Sequence, residues 1–240
     1  RMNIFRFSVF AKLLLFALFF FFSSFGVQTI EKISFVMETG ILQKGKLVKV
    51  EAEIFYDHPT GKMLTRYTNP PGKILIANRV GEVTIFDEND NTVVYEQGEQ
   101  YSTTTGTIQF FLMGKTQDLG LSDFGFQQSN VNFEDGLMVT EWFPPPALYH
   151  LYNKIKIVHE NYLPVHVAYY DAQRNLVKKV YYSQYQNFAD VSIPTRITEF
   201  EYVANDSIIN RILFKDIKTN RQANSPWFQF EIPENAKTRP

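Results

Sequence analysis

The chain contains no cysteine at all, so neither a disulfide framework nor a thiolate nucleophile or metal ligand is open to it. Its four histidines, His58, His150, His159 and His166, include no pair spaced i, i+2 or i, i+4, and the resulting expectation is no metal site. No Gly-x-Ser-x-Gly occurs. Gly114-Lys115-Thr116 has the end of a phosphate-binding loop, but Gln109 stands where its first glycine is required. Asp87-x-Asn89-x-Asn91 has the start of a calcium loop, but Thr92 and Gly98 replace the glycine and glutamate that complete one. Glu51 and Glu53 share a strand face with Lys49, as a solvated outer face does. The sequence therefore points to no catalytic residue, no cofactor and no enzyme activity.

Basic clustering is also missing. Residues 1–26 hold Arg1, Arg6 and Lys12 and no acid; without them 21 of the 24 basic residues face 25 acids, a net charge of −4. That balance argues against nucleic acid as a partner, because it demands a clustered positive surface.

What is present begins with a secretory pattern. Arg6 and Lys12 precede the apolar run Leu13–Phe22, and Ser23-Ser24-Phe25-Gly26 forms a small-residue exit. Ten apolar residues are half of the ~20 that span a bilayer, so cleavage before Val27 is expected rather than a retained anchor. Residues 27–240 then form one domain, which fits an undivided β chain of this length.

From Ile33 onward the pattern has period two. Val48, Val50, Ala52, Ile54 and Tyr56 share one face of a strand. Turns at Pro59, Pro70-Pro71, Asp87–Asn91, Asp171–Asn175 and Ala204–Ser207 separate successive strands at hairpin spacing, and Pro144-Pro145-Pro146 makes a stiff corner. Strands are expected at Val131–Phe133, Leu137–Trp142, Asn153–His159, Pro164–Asp171, Val177–Tyr185, Thr195–Val203, Ile208–Asp216 and Trp227–Ile232. One interruption is expected to be helical, Thr105–Gly114, which follows a Ser/Thr cluster and packs Phe110, Phe111, Leu112 and Met113 together. It is either an ordinary core helix or an apolar element closing a concave sheet.

Several segments resemble the LolA/LolB family of periplasmic outer-membrane lipoprotein carriers and sorting proteins. In front these are the turn at Pro59, Met63-x-x-x-Tyr67-x-x-Pro70, and Ile74-Leu-Ile-Ala-Asn78 followed by Val83-x-Ile-Phe-Asp87. Behind come Tyr152 to Asp171 with its Leu163-Pro164 turn, Lys178-Lys-Val-Tyr-Tyr-Ser183, Ile193-Pro-Thr-Arg196 and Phe228-x-Phe-x-x-Pro233. The family usually opens with an amphipathic helix, whereas here the strand Ile33–Glu38 begins almost at the expected mature terminus.

The resemblance implies a mainly β fold, an unclosed antiparallel half-barrel with a few helices over its concave face. It further implies a monomeric periplasmic carrier whose apolar cavity receives acyl chains of lipoproteins or another lipid, with an inner-membrane exporter as donor and an outer-membrane acceptor. Val50, Ile54, Met63, Tyr67, Leu75, Phe110, Phe111, Met113 and Trp142 are the expected lipid-binding residues. At about 0.8 kcal/mol per CH₂, a fully engulfed sixteen-carbon chain gains roughly 12 kcal/mol. The alternative is an envelope sensor or scaffold that binds a protein, its tyrosines Tyr169, Tyr170, Tyr181, Tyr182 and Tyr185 forming an exposed interface.

Overall fold

Two antiparallel meanders, one running out from the middle of a sheet and one running back to it, account for nearly every strand. The computed structural model describes residues 29–80, 82–97, 104–189, 191–203 and 206–239. The expected signal segment 1–26 and residues Ser102 and Thr103 of the Ser/Thr cluster lie outside these.

The outward meander comprises β1 (Lys32–Gln43), β2 (Lys46–Asp57), β3 (Lys62–Asn69), β4 (Pro71–Ala77), β5 (Glu82–Asp87) and β6 (Thr92–Gln97). The returning one comprises β7 (Gln127–Glu134), β8 (Leu137–Phe143), β9 (Tyr152–Glu160), β10 (Leu163–Asp171), β11 (Leu176–Phe188), β12 (Val191–Val203) and β13 (Asp206–Thr219). β13 closes on β1, with Met37 opposite Phe214 and Leu42 opposite Ile209. Among the described residues the result is one unclosed sheet of 14 strands, in which β14 (Lys237–Thr238) runs parallel to β6 at one edge and β7 forms the other.

This connectivity explains the helix. The chain leaves β6 near one edge of the sheet and enters β7 at the other, and the described part of the connection, residues 104–126, packs on the concave face. A segment buried there must satisfy its own backbone, which a helix does, and must give each buried polar side chain a partner. That helix is α1 (Thr104–Leu112). It ends as the glycine at 114 dictates: Gly114 adopts φ +72°, its N–H donates to Phe111 O at 3.0 Å, and Lys115 N–H donates to Phe110 O at 2.9 Å.

The main core lies between the concave face and α1. Alternate residues of the strands supply it: Ile33, Phe35 and Met37 from β1, Ala52, Ile54 and Tyr56 from β2, Ile155 and Ile157 from β9, Ile212 and Phe214 from β13. On β11 the left-handed backbone at Gln184 (φ +56°) shifts the phase, so that Tyr185 joins Tyr182 on the core side.

A second, smaller core sits on the convex side, where Phe55, Leu64, Ile74 and Phe86 are buried. Its cover is the C-terminal segment, and here the expectation of a strand at Trp227–Ile232 fails. Residues Pro226–Gln229 form a 3-10 turn, and Trp227, Phe228, Phe230 and Ile232 lie on the outside of β2–β5 instead of pairing with a neighbour. Lys62 Nζ donates to Phe230 O at 2.8 Å, and the Arg66 guanidinium stacks 4.6 Å from the Trp227 ring while bonding Glu53 at 3.0 Å.

Candidate binding cleft

The turns at Gly61 and Asn78 mark the end of the half-barrel where α1 sits, called the lower end here; the β1–β2 hairpin marks the upper end. Gln109 is buried in α1, and its Nε2 donates to Gly61 O at 3.2 Å and Asn78 O at 3.0 Å. An amide with two carbonyl partners fixes the helix to two strand turns at once. On the sheet side Phe111 meets Tyr182 edge-on at 5.1 Å and Tyr185 at 6.1 Å. On the opposite side Phe110 meets Phe124 edge-on at 6.1 Å, within the segment 114–126 that leads to β7. Gly120 presses against the Phe110 ring so closely that a Cβ there would lie 2.3 Å from Cε1, and its φ of +77° also suits glycine alone.

Ile108, Phe110, Phe111 and Leu112 are therefore all buried. This answers the choice left open by the sequence: α1 lies over the concave face and is an integral part of the core. In this packing the carboxylate of a Phe111→Asp variant would stand among aromatic rings without a partner.

Beside α1 a cleft of about 730 Å³ opens between the segment 114–123 and the concave side of β7 and β8. Met138, Thr140 and Trp142 of β8 form its floor, Val131 its outer wall, and Tyr162 one rim. The opposite rim is polar. Asp118 bonds the Ser122 hydroxyl, Lys115 pairs with Asp123, and Gly120 N–H donates to Asp118 Oδ1 at 3.0 Å. Trp142 Nε1 donates to Thr140 Oγ1 at 3.0 Å, so the indole presents its apolar body with its polar atom already satisfied. His159, buried on β9, is tied through Nε2 to Thr116 O at 3.1 Å, and burial holds its pKa below the usual imidazole value. Glu141, on the convex side of β8, bonds Lys154 at 2.8 Å and Lys156 at 3.0 Å, which holds its carboxyl below the usual range. A volume of this size lies within the range of small-molecule sites.

The nine expected binding residues fall into three groups. Ile54, Met63, Phe110, Phe111 and Trp142 belong to the main apolar cluster, with Tyr67 and Met113 packed against it. Trp142 also lines the cleft. Leu75 is half-buried on the concave face of β4, and Val50 is half-buried at the upper end of β2. The segment 114–123 that forms the cleft's polar rim was not among the expected site residues; the glycines Gly114, Gly120 and Gly125 were its signal.

Of the five tyrosines that the alternative reading placed in an exposed interface, some point into the core, while Tyr170 is half-buried. Tyr169 and Tyr182 are buried and Tyr185 donates to Pro164 O, because their strand phase points into the core; Tyr181 is exposed. Among the described residues no helix is long and apolar enough to cross a membrane, and no group of three or more His, Asp or Glu is placed to hold a metal ion.

No family model matches the chain, and no curated protein matches it. Solved structures do. A DUF1329 family protein from Desulfovibrio piger superposes with a TM-score of 0.62 at 14% identity, over 84% of this chain and 91% of that one. A putative outer membrane lipoprotein-sorting protein domain from Vibrio parahaemolyticus gives 0.60 at 13%, over 85% and 90%. A LolA superfamily protein from Nitrosomonas europaea gives 0.57 at 12%, over 85% and 91%. At such identities the likeness is one of fold, and the fold of this chain is the mainly β, unclosed half-barrel that it shares with LolA-superfamily and DUF1329 proteins.

Proposed function

We propose that the protein is a non-catalytic carrier that binds the acyl chain of a lipoprotein or of another lipid within the half-barrel. The observation that carries this reading is the cleft of about 730 Å³ on the concave face, which leads from an open mouth at Tyr162 and Val131 to Trp142 and the apolar core behind it. In this reading the acyl chain enters against Trp142 and Met113 and extends towards Phe110, Phe111, Ile54 and Met63. Tyr67, Leu75 and Val50 line the far wall. The polar rim of residues 115–123 stays with the headgroup in water. The fold shared with a lipoprotein-sorting domain supports the same role. Residues 1–26 act as a cleaved export signal, residues 27–240 are the carrier, and the monomer works in the periplasm between an inner-membrane donor and an outer-membrane acceptor.

Native mass spectrometry of the protein purified without detergent tests the proposal. Adducts of one acyl lipid, or saturable one-to-one uptake of added palmitate, are expected. A protein that carries no lipid and takes up none rules the carrier out.

A second reading, a module that binds a protein partner, draws on one observation. The edge strand β7 is exposed throughout, and Phe133 on it is 77% and Tyr162 nearby 84% exposed. An edge strand with exposed aromatic side chains can accept a further strand from a partner.

A further inference from the structure

A sheet with one covered face sorts its residues, apolar towards the core and polar away from it. β1 and β2 keep to this rule along their lower halves and depart from it at the top. Beyond Thr39 and Val50 the hairpin carries apolar side chains on both faces. Ile41 and Val48 form one pair on the concave side, and Leu42 and Leu47 the next pair on the convex side. Leu47 is 61% and Val48 54% exposed, so neither face is covered there by the described residues. At the adjoining β12–β13 end Tyr202 and Val203 point to opposite faces and both are exposed, but beside the exposed acids Glu201 and Asp206, so the basic tip is that of β1–β2 alone; Ile209 lies opposite Leu42.

On the convex side Leu42, Leu47, Ile209 and Leu213 wall a groove of about 400 Å³, and Gly40 contributes no side chain to its floor. A rigid partner covers one face of a strand tip; a medium that surrounds the tip receives both. The charges identify the medium. From Thr39 to Val50 every ionisable residue is a lysine: Lys44 and Lys46 at the tip, Lys49 beside the groove, all exposed. Lys49 and Arg211 flank Gly40, while the acids Glu38 and Glu51 share one row at the lower end of the groove, where Lys215 bonds Glu38 at 2.6 Å. Exposed apolar ends bounded by long basic side chains match the surface of an anionic bilayer, with acyl chains within and phosphates at the rim.

We infer that the β1–β2 tip inserts into the surface of an anionic lipid bilayer. The contact needs no acyl cavity, and it stands or falls separately from acyl carriage.

The test uses residues 27–240, which contain every described element of the fold, with large vesicles of phosphatidylcholine alone or mixed with phosphatidylglycerol. The wild-type chain is expected to sediment with the mixed vesicles about fivefold more than with the neutral ones. The double variant Leu47→Asp/Val48→Asp is expected to lose about tenfold or more in vesicle affinity. Because both residues are exposed, its melting curve and its uptake of a fluorescent fatty acid stay unchanged. Lys44→Glu/Lys46→Glu is expected to abolish the preference for phosphatidylglycerol. Vesicle binding that persists in a protein unable to take up fatty acid supports the docking surface while removing the carrier reading. Three results overturn the inference: no sedimentation with either vesicle, equal binding by the aspartate variant, or a dimer in the ultracentrifuge that the same variant dissolves.

Discussion

Replacing Phe111 by alanine removes the ring that α1 drives into the sheet. The side chain is fully buried and lies 5.1 Å from the Tyr182 ring and 6.1 Å from that of Tyr185. Truncating such a phenylalanine costs about 3–5 kcal/mol, the sum of lost transfer energy and the cavity left behind. In a chain of roughly this size each kcal/mol moves the melting temperature by about 2–4 °C. A fall of about 10 °C is therefore expected for Phe111→Ala in a circular-dichroism melt of residues 27–240. Well below its melting point, the variant should take up a fluorescent fatty acid at least as well as wild type, since the void opens on the concave core. A fall of less than about 3 °C would mean that α1 is a separable lid, and the reasoning from its burial would be refuted.

The remaining predictions concern the loop, the outer core and pH. Gly120→Ala places a Cβ 2.3 Å from the Phe110 ring at φ +77°, so a loss of about 1–3 kcal/mol is expected in urea unfolding, and an unchanged midpoint would contradict the close packing of the loop on α1. Deleting residues 226–239 uncovers Phe55, Leu64, Ile74 and Phe86; the shortened chain should bind a hydrophobic dye and aggregate, whereas a soluble, dye-free product would show that the convex core needs no cover. Burial depresses the pKa of His159 and His166, so on acidification the unfolded chain takes up protons before the folded one. Stability is then whole above the unfolded value of about 6.5 and declines as pH falls through that value towards the lower folded ones. Urea midpoints at several pH values should show this decline, and His159→Gln should flatten it; a midpoint that rises on acidification would contradict the sign.

Much of this architecture was legible because period-two patterning and turn residues are local signals. The strand ends at Pro59 and Pro70, the loop Asp87–Asn91 and the corner after Pro144 all follow from them. In that loop Asp87 Oδ1 accepts from Asn89 N–H at 3.0 Å, as a turn rather than a cation site would arrange it. Trp227–Ile232 misled because alternating aromatic residues look the same in a paired strand and in an extended cover. The corrective signal lay elsewhere: Phe55, on the polar face of β2 with Glu51 and Glu53, already required something apolar outside the sheet. Tyr169, Tyr182 and Tyr185 misled for the reverse reason, since composition does not say which strand face a residue occupies. The cleft was hidden because its two walls, residues 114–123 and β7–β8, meet through the crossover of the chain from one edge of the sheet to the other. No local pattern encodes that meeting.

The central claim is that an acyl chain occupies the concave cleft, and photolabelling with a diazirine-bearing palmitate tests it most directly. Saturable labelling is expected in the peptides containing Met113–Thr116 and Met138–Trp142, displaced by unlabelled palmitate and diminished in Trp142→Asp. Labelling that does not saturate, or that falls on Leu42 and Leu47 in the convex groove and spares Trp142, would contradict it.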